Sequence, residues 1–416
     1  MIRISSQQVF SGGINRLQDL NSGLNKTSEQ ISTGKRVNRP SDDPVAAARI
    51  LKLDQELGRV ETYQRNAQLA DNRLKQEEST LGSAIDVIQR VRELTVQAGN
   101  GSLSANDRQS LASEMKERLG QLANIANTKD ASGEFIFSGF QGNQQAFSQN
   151  VSGDWVYQGD EGQRVLEIDD GVTVPISDHG KGIFVDVAAA EPTFFAEAAS
   201  SNVNGAQISS GAVVDQDAFN AAYASSKIDY VVEVDSSGAY AISSRNGDGP
   251  PDPSLPEVGT FVSGEPIVFR GMQFEIFGDA PEAGKPPLNF TLKTAQKQSV
   301  FTTVEKLIYG LESIDKSAAG GQQAYDDLIA NSLTNLDNAQ ESIVLKQTEL
   351  GGRMNAVEST QSFLEDSSVY SNEIRSQLQD VDYAEAISNL SFQSFVLQAA
   401  QQSFAQVSRL SLFDRL

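Results

Sequence analysis

The sequence contains no cysteine among its 416 residues and only one histidine. Without thiols the chain can form neither a disulfide framework nor a thiolate zinc site. The histidine, His179, lies in a Ser-Asp-His-Gly stretch typical of a turn, so we interpret it as a polar loop residue and not as a catalytic base. We therefore expect this chain to be no enzyme, with no catalytic residue, no cofactor and no metal site.

Basic residues are scarce as well. The chain has 33 Lys and Arg against 55 Asp and Glu, a formal net charge of −22, and most of the acid excess lies in the middle. Binding to nucleic acid requires a clustered basic surface, so we expect no nucleic-acid partner.

Long hydrophobic runs are absent too. None approaches the roughly 18 residues that indicate a membrane-spanning helix, and the N-terminal stretch lacks the pattern of a cleaved secretory signal. We expect no membrane partner, and export without a cleaved signal peptide if the chain leaves the cytoplasm.

Proline divides the chain into three parts. Two of the 12 prolines are Pro40 and Pro44, and the others lie between Pro175 and Pro287. Because proline breaks helix interiors, both ends of the chain can form long helices while the middle cannot.

The longest helix is predicted from Pro44 to Ala98. Asp43 suits the N-cap and Pro44 the first helical position. Apolar residues recur every seven positions, which indicates the seam of a supercoiled helix. The members of this stripe are Leu53, Val60, Ala67, Leu74, Leu81, Ile88 and Thr95, with Ile50, Leu57 and Ile85 at the companion position. Such a helix needs long helical partners.

A second stripe, at the other end of the chain, supplies one. It repeats every seven residues from Ile329 to Leu378 and continues through Gly351 and Gly352, so we predict one helix that pairs with 44–98. A shorter helix is predicted to open at Ser104, with Asp107 completing a capping box.

The middle of the chain changes to short β-branched and aromatic runs, which predict strands. These runs are 135–140, 155–157, 164–168, 172–175, 230–234, 266–270 and 272–277. The Ala- and Ser-rich stretch 186–226 is compatible with a short helix and loops or with an inserted subdomain, and 245–253 is typical of a loop.

The predicted fold class is α+β, with long paired N- and C-terminal helices in a coiled-coil-like bundle and an inserted β-rich outer domain. The predicted domains are an N-terminal assembly segment (1–43), an N-terminal helical rod (44–133), the outer domain (134–295, with 186–255 a possible subdomain), a C-terminal helical rod (296–379) and a C-terminal assembly helix (380–416).

The two terminal segments carry apolar stripes of their own at 10–32 and 382–407. Because the long helices can pair with each other, these stripes need partners elsewhere, and we predict that they pack between subunits. The predicted interface residues are Phe10, Leu17, Leu24, Ile31, Ile387, Leu390, Phe395, Leu397, Phe404 and Val407.

Several motifs in these ends resemble the bacterial flagellin and hook-associated proteins, the axial proteins of the flagellum. The motifs lie at 30–44, at 89–101 and from Asp380 to Ala400, and the resemblance covers roughly residues 1–150 and 296–416. Its motif residues are Arg36, Asn38, Asp42, Asp43, Pro44, Arg92, Glu93, Asp382, Tyr383, Ala384, Ser388 and Asn389. Further matches at 133–140, 156–162, 271–274 and 411–413 are similar to the hook–filament junction subunits of that family.

The resemblance implies an extracellular structural subunit of the flagellum, exported by the flagellar type III apparatus with the help of an export chaperone. It also implies self-association in a ring that connects the hook, through hook-associated protein 1, to the flagellin filament. A flagellin filament subunit is the alternative.

Overall fold

A computed structural model describes residues 2–150, 153–199, 201–202, 205–226, 229–245, 251–318 and 320–413. Helices dominate both ends of the chain. They are α1 (Ile2–Thr33), α2 (Pro44–Ala98), α3 (Ala105–Ala126), α4 (Gln216–Ser226), α5 (Val300–Ser313), α6 (Gly321–Gln379) and α7 (Tyr383–Phe413), with a π-helical turn at Lys181–Val185.

Strands fill the middle, as predicted, and the fold class is confirmed. The strands are β1 (Phe147–Gln149), β2 (Trp155–Tyr157), β3 (Val165–Asp169), β4 (Val172–Pro175), β5 (Ala188–Ala198), β6 (Gln207–Ile208), β7 (Ala212–Val213), β8 (Asp229–Val234), β9 (Ala239–Arg245), β10 (Pro251–Thr260), β11 (Pro266–Phe269), β12 (Met272–Phe277) and β13 (Leu288–Lys297).

The chain forms two compact units. The terminal unit comprises Met1–Ala67 and Ser359–Leu416, and the central unit comprises Gln68–Glu358. Both boundaries fall inside helices, so α2 and α6 each contribute residues to both units.

In the terminal unit, α1 packs along α7. The start of α2 lies beside the end of α6, where Arg375 Nη1 is 3.3 Å from Asp54 Oδ1. One buried cluster here consists of Val37, Ala46 and Ile50, with Ala47 and Leu378 packed against it. Val60, Ala67 and Leu364 are also buried in this unit.

In the central unit, α2 and α6 run antiparallel. Arg92 Nε lies 2.5 Å from Asp337 Oδ1, and Tyr325 donates a hydrogen bond to the carbonyl of Ala98 at the end of α2. The heptad positions are buried between the helices as the periodicity predicts. These buried residues are Leu74, Leu81, Ile88, Leu336, Ile343, Leu350 and Val357.

The companion seam differs from the prediction in this unit. Ile85 is only half-buried. The buried companion positions are instead Ala70, Glu77, Ala84, Val91 and Ala98. The buried positions therefore lie one residue before the predicted companion positions. Most of them are alanines, which a pattern of large apolar residues does not include.

Helix caps follow the local sequence. Asp43 Oδ1 accepts a hydrogen bond from the Ala46 backbone N–H, three residues into α2. Ser104 and Asp107 form the predicted capping box at the start of α3. Helix α3 then packs against α5.

An aromatic cluster packs the segment before β5 against α5. Phe147 lies 4.7 Å from Phe301 and 5.9 Å from Phe184, measured between ring centroids, and Phe137 lies 5.5 Å from Phe184. All four side chains are fully buried.

Beyond this cluster two sheets share a core. The five-stranded antiparallel sheet has the order β10-β9-β8-β13-β5, and the second sheet consists of β11-β12-β6 with β7 also paired to β12. Their shared core includes Phe194, Phe219, Val232, Phe274 and Phe290. Both edge strands of the larger sheet contain proline, which fits edges because an edge strand need not donate every backbone N–H.

Three predictions for the middle need correction. Residues 135–140 form turns and not a strand: Gly139 has φ +71°, and Asp160 Oδ1 accepts from the Phe140 N–H. The stretch 186–226 contains the short helix α4 together with strands β5, β6 and β7, and β5, β8, β9 and β10 share one sheet with β13, which lies outside 186–255. The 245–253 stretch ends β9 and begins β10, while 246–250 lies outside the described residues.

Candidate assembly interface

The link between α1 and α2 pairs with the link between α6 and α7. The Arg36 N–H donates to the Gln379 carbonyl at 2.6 Å, and the Val381 N–H donates to the Gly34 carbonyl at 3.0 Å. Gly34 has φ +72°, and an added Cβ would lie 3.0 Å from the Tyr383 hydroxyl. These bonds form a joint, defined here as residues 34–43 with 379–383, which ties the two ends of the chain together.

Two aspartates of the resemblance motif organise this joint. Asp42 Oδ2 accepts from the backbone N–H groups of Arg39 and Asn38, and Lys26 lies 3.1 Å from its other oxygen. These hydrogen bonds, led by Arg39, lower the pKa of Asp42. The Ala46 N–H likewise lowers the pKa of Asp43.

The other motif residues hold backbone or neighbouring helices. Arg36 donates from Nη2 to the Leu378 carbonyl, and Asp382 accepts from the Ala384 and Glu385 N–H groups at the start of α7. Further along the chain, Glu93 pairs with Arg90. In the part of the chain that the structure describes, then, these motif residues shape the fold.

The predicted interface residues divide between two faces of α7. Gln393 accepts a hydrogen bond from Thr27 of α1, and a Cβ on Gly13 would come 2.9 Å from the Phe404 ring. Leu390 and Leu397 precede Phe404 at intervals of seven and are, like it, half-buried. This seam faces α1, where the half-buried residues Leu17, Leu24 and Ile31 lie. The side chains of Phe10 and Val407 lie outside those described.

The opposite face of α7 is open. Ile387 is 52 %, Phe392 66 % and Phe395 69 % exposed, and the helical period places them away from the seam. Ser388 and Asn389, two motif residues, are also exposed on α7. We call Ile387, Phe392 and Phe395 the open face.

Sequence reasoning missed a buried charge cluster in the central unit. Asp178 accepts from Arg353 Nη1 at 2.8 Å and from Gln163 at 2.7 Å, and Lys346 lies 3.4 Å away. Burial alone would raise the pKa of Asp178, but the hydrogen bonds and charge of Arg353 lower it.

Glu77 completes this cluster from α2. Burial, and then the charge of Asp178, raises the pKa of Glu77 to about 8, and its Oε1 has no hydrogen-bond partner among the described residues. Neither Glu77 nor Arg353 lies on a predicted heptad stripe, so the periodicity carries no signal for them.

Within the described ranges, no group of three or more His, Asp or Glu side chains is arranged to hold a metal ion. Among the same residues, none of the helices combines the length and hydropathy needed to cross a membrane.

Comparison with known proteins identifies both ends. Residues 4–142 match the bacterial flagellin N-terminal helical region, and residues 333–415 match the bacterial flagellin C-terminal helical region. A flagellin of Bacillus subtilis is 31 % identical over 33 % of this chain and 46 % of its own length.

Flagellar hook-associated protein 3 matches over longer stretches. The Escherichia coli protein is 26 % identical over 99 % of both chains, and the Salmonella typhimurium protein is 35 % identical over 45 % of this chain, an alignment that spans 58 % of that relative. A crystal structure of hook-associated protein 3 from Legionella pneumophila is 29 % identical, covers 79 % of this chain and 98 % of its own, and superposes with a TM-score of 0.53. The chain therefore belongs to the flagellin family of flagellar axial proteins and, within it, to the hook-associated protein 3 group.

Proposed function

We propose that copies of this chain assemble into a ring that joins the flagellar hook to the flagellin filament. As a member of its group, the chain is a structural component of the hook–filament junction. The ring, its contacts with hook-associated protein 1 and with flagellin, and the assignment of 1–43 and 380–416 as assembly segments belong to the proposal.

The observation that carries the proposal is the open face of α7. Two phenylalanines and an isoleucine stand more than half exposed on one side of a helix whose other side packs on α1. Covering one such side chain is worth about 1.5–3 kcal/mol, so a partner surface that covers all three gains substantially. Clustered exposed apolar groups are typical of protein interaction sites.

The composition of α7 favours a protein partner over a lipid one. Residues 382–407 contain no Lys or Arg, whereas helices that lie in membrane interfaces carry basic residues on their polar face. Contacts between unlike surfaces of identical subunits close into rings or continue as helical arrays.

The route to this location is also part of the proposal. The resemblance favours export by the flagellar type III apparatus, without a cleaved signal peptide, after binding of an export chaperone. The final location would be extracellular, at the junction of hook and filament.

The decisive experiment is immunogold labelling of intact flagella. A strain that lacks its own hook-associated protein 3 should recover filaments when it expresses this chain, and antibody against residues 188–297 should mark one narrow band at the hook–filament boundary. Label along the whole filament would overturn the proposal in favour of a filament subunit.

That alternative, a flagellin, has weaker support because the flagellin relatives align with about a third of the chain. The purified protein would then polymerise by itself into long filaments after seeding. We expect closed or short assemblies instead, visible by negative-stain microscopy.

A further inference from the structure

The central unit contains an open cavity of about 740 Å³ that the assembly proposal does not use. Strands β2 and β5 and helix α5 contribute to its walls. Trp155, Tyr157 and Phe195 supply aromatic surface, and Val156 and Val185 supply aliphatic surface. Sites for small organic molecules commonly have about this volume and an apolar lining with few polar groups.

The charged groups of this cavity are mostly acidic. The carboxylates that line it are Asp154, Asp160, Glu161, Glu197 and Glu305, whereas Lys181 is the basic residue on the wall. Lys181 forms an ion pair with Glu161, so its charge is already matched. The lining as a whole favours a cation.

Glu305 is the side chain that distinguishes this cavity from a merely acidic surface. It is only 8 % exposed. Its Oε1 accepts a hydrogen bond from the Trp155 backbone N–H at 2.8 Å, while its Oε2 has no hydrogen-bond partner among the described residues. A buried polar group without a partner costs about 1–3 kcal/mol, so a donor supplied by a ligand would be favourable here.

The neighbouring lysine does not serve as this donor. Lys306 Nζ donates to Thr193 Oγ1 and to the Phe194 carbonyl, and it lies 4.5 Å from the centroid of the Phe194 ring. The protein thus already holds one ammonium group against an aromatic ring beside this cavity. Ammonium groups are attracted to aromatic faces in general.

We propose that the cavity binds a primary alkylammonium ion, whose ammonium group donates to Glu305 Oε2 and whose alkyl chain packs against Trp155 and Phe195. The aromatic walls match the apolar stem, and the surplus of carboxylates matches the charge. Two sources share this chemistry: a free alkylamine and the side chain of a lysine.

Trp155 is the single tryptophan of the chain, so its fluorescence reports directly from the cavity. Titration of the full-length protein with n-butylammonium chloride, at constant ionic strength, should give a saturable change in Trp155 emission. n-Butanol, which has the same stem without charge, should bind at least tenfold more weakly. Equal responses to the two compounds, or no saturation with either, would overturn the proposal.

Two variants separate the receptor carboxylate from general charge attraction. Glu305→Gln keeps the size and the bond from the Trp155 N–H but removes the charge, and at pH 8.5 it should weaken n-butylammonium binding at least tenfold. Glu282→Gln, which changes an exposed carboxylate outside the cavity lining, should change binding by less than twofold. Equal losses in both variants would indicate general charge attraction and would contradict the proposal.

The pH dependence of binding provides a second test. Burial, followed by the charge of Asp154, raises the pKa of Glu305 to about 8, while burial lowers the pKa of Lys306 to about 7. Binding to an ionised Glu305 should therefore strengthen on the order of tenfold from pH 6.5 to 8.5, because the competent fraction rises. Asp154 and Lys306 act directly on Glu305, and Asp160, Glu161, Glu197 and Lys181 line the same cavity.

Lys306 loses its positive charge in the same pH interval, which also favours a cationic ligand. The same titration is therefore made with Glu305→Gln, in which the rise in affinity should shrink to severalfold or less. An unchanged rise in that variant would exclude Glu305 as the receptor. A parallel titration with Nα-acetyl-lysine amide distinguishes the sources: tighter binding than n-butylammonium supports a lysine side chain, and weaker binding supports a free amine.

Discussion

At the scale of single residues, the long helices are held by charges as well as by apolar packing. Glu77, Lys346 and Arg353 occupy inward-facing positions of α2 and α6 and meet Asp178 from the segment after β4. Buried charges of this kind stabilise little in themselves, but they penalise any shift in register that would leave one of them unpaired. We regard this register role as a hypothesis, and Glu77 offers the test.

Replacing Glu77 by Gln should stabilise the protein above neutral pH. Burial raises the pKa of Glu77 to about 8, so between the ordinary carboxyl pKa and pH 8 the folded state holds a proton that the unfolded state has lost. Stability must then fall as pH rises across that interval. Gln imitates the protonated form, and we expect it to gain on the order of 2 kcal/mol at pH 8 and almost nothing at pH 4.5.

Urea denaturation at both pH values measures this difference. Glu78, the exposed neighbour of Glu77 on α2, supplies the matched control, and Glu78→Gln should alter stability by less than about 0.5 kcal/mol at either pH. A destabilised Glu77→Gln protein at pH 8 would mean that the carboxylate is ionised and satisfied by Arg353.

Helix glycines give a second contrast. Gly351 in α6 has nothing within 4 Å of an added Cβ, whereas a Cβ on Gly310 in α5 would lie 2.0 Å from Leu328 Cδ2. Gly351→Ala should therefore stabilise the protein by about 1 kcal/mol through helix propensity. Gly310→Ala should destabilise it by about 1–3 kcal/mol through overpacking.

Thermal melting of both variants measures the two signs. A loss of stability in Gly351→Ala would contradict the open space around an added Cβ at this position.

At this scale, what could be predicted from the sequence was local. Helix caps are formed by Asp43 and by the pair Ser104 and Asp107, each within three residues of the start of its helix. Their role can therefore be predicted from neighbouring positions in the sequence. Asp178 meets Arg353 at a separation of 175 positions, and no periodicity connects them. Long-range polar contacts of this kind follow from the fold and cannot be deduced before it.

At the scale of elements, α2 and α6 were predictable because heptad spacing extends over their whole length. The edge strands were not. Strand β5 begins with three alanines and contains Pro192, so it lacks the β-branched alternation that signals a strand. It forms because β13 lies beside it and supplies a hydrogen-bonded partner, which is tertiary information.

The two faces of α7 should respond differently to charge. Phe392→Asp with Phe395→Asp alters exposed positions, so the free protein should lose less than about 0.5 kcal/mol per site, while cells should release filaments because charges would enter a buried subunit contact. Leu397→Asp with Phe404→Asp lies toward α1 and should weaken the packing of α1 on α7 by several kcal/mol.

Circular dichroism melting of the free protein and filament counts in a complemented strain measure both halves. Wild-type motility with both open-face substitutions in place would remove the open face from the assembly interface. The matched pair Ser110→Asp with Ser113→Asp, which changes polar exposed positions of α3, controls for added charge.

At the scale of the whole molecule, the two-sheet domain is an insertion with adjacent ends. Ala188 of β5 pairs with Lys297 of β13, so the chain enters and leaves this domain at neighbouring points, about 5 Å apart as in other paired strands. The shared core consists of residues from Phe194 to Leu292. The bounds of this domain differ from those of the predicted candidate subdomain 186–255, because a boundary at residue 255 would separate strands of one sheet.

Replacing 188–297 by a short Gly-Ser linker should therefore leave the helices folded and the junction functional. Lys306 would lose the acceptors Thr193 and Phe194, so the shortened chain should carry Lys306→Met. Deletion of 186–255 alone serves as the control. It leaves β13 without its neighbouring strands and should therefore yield an aggregating or degraded protein. Filament counts and solubility decide, and loss of filaments with the larger deletion despite an intact helical spectrum would assign subunit contacts to the sheets.

The pairing of α1 with α7 also fixes an order in time. A chain made or threaded from its N-terminus presents α1 first and α7 last, and nearly the full length of the chain separates the two helices. Contacts between such distant segments are slow to form because the intervening loop must first be closed. The joint between residues 34–43 and 379–383 thus cannot close until almost all of the chain has emerged, so a truncated or stalled chain would display α1 without its partner.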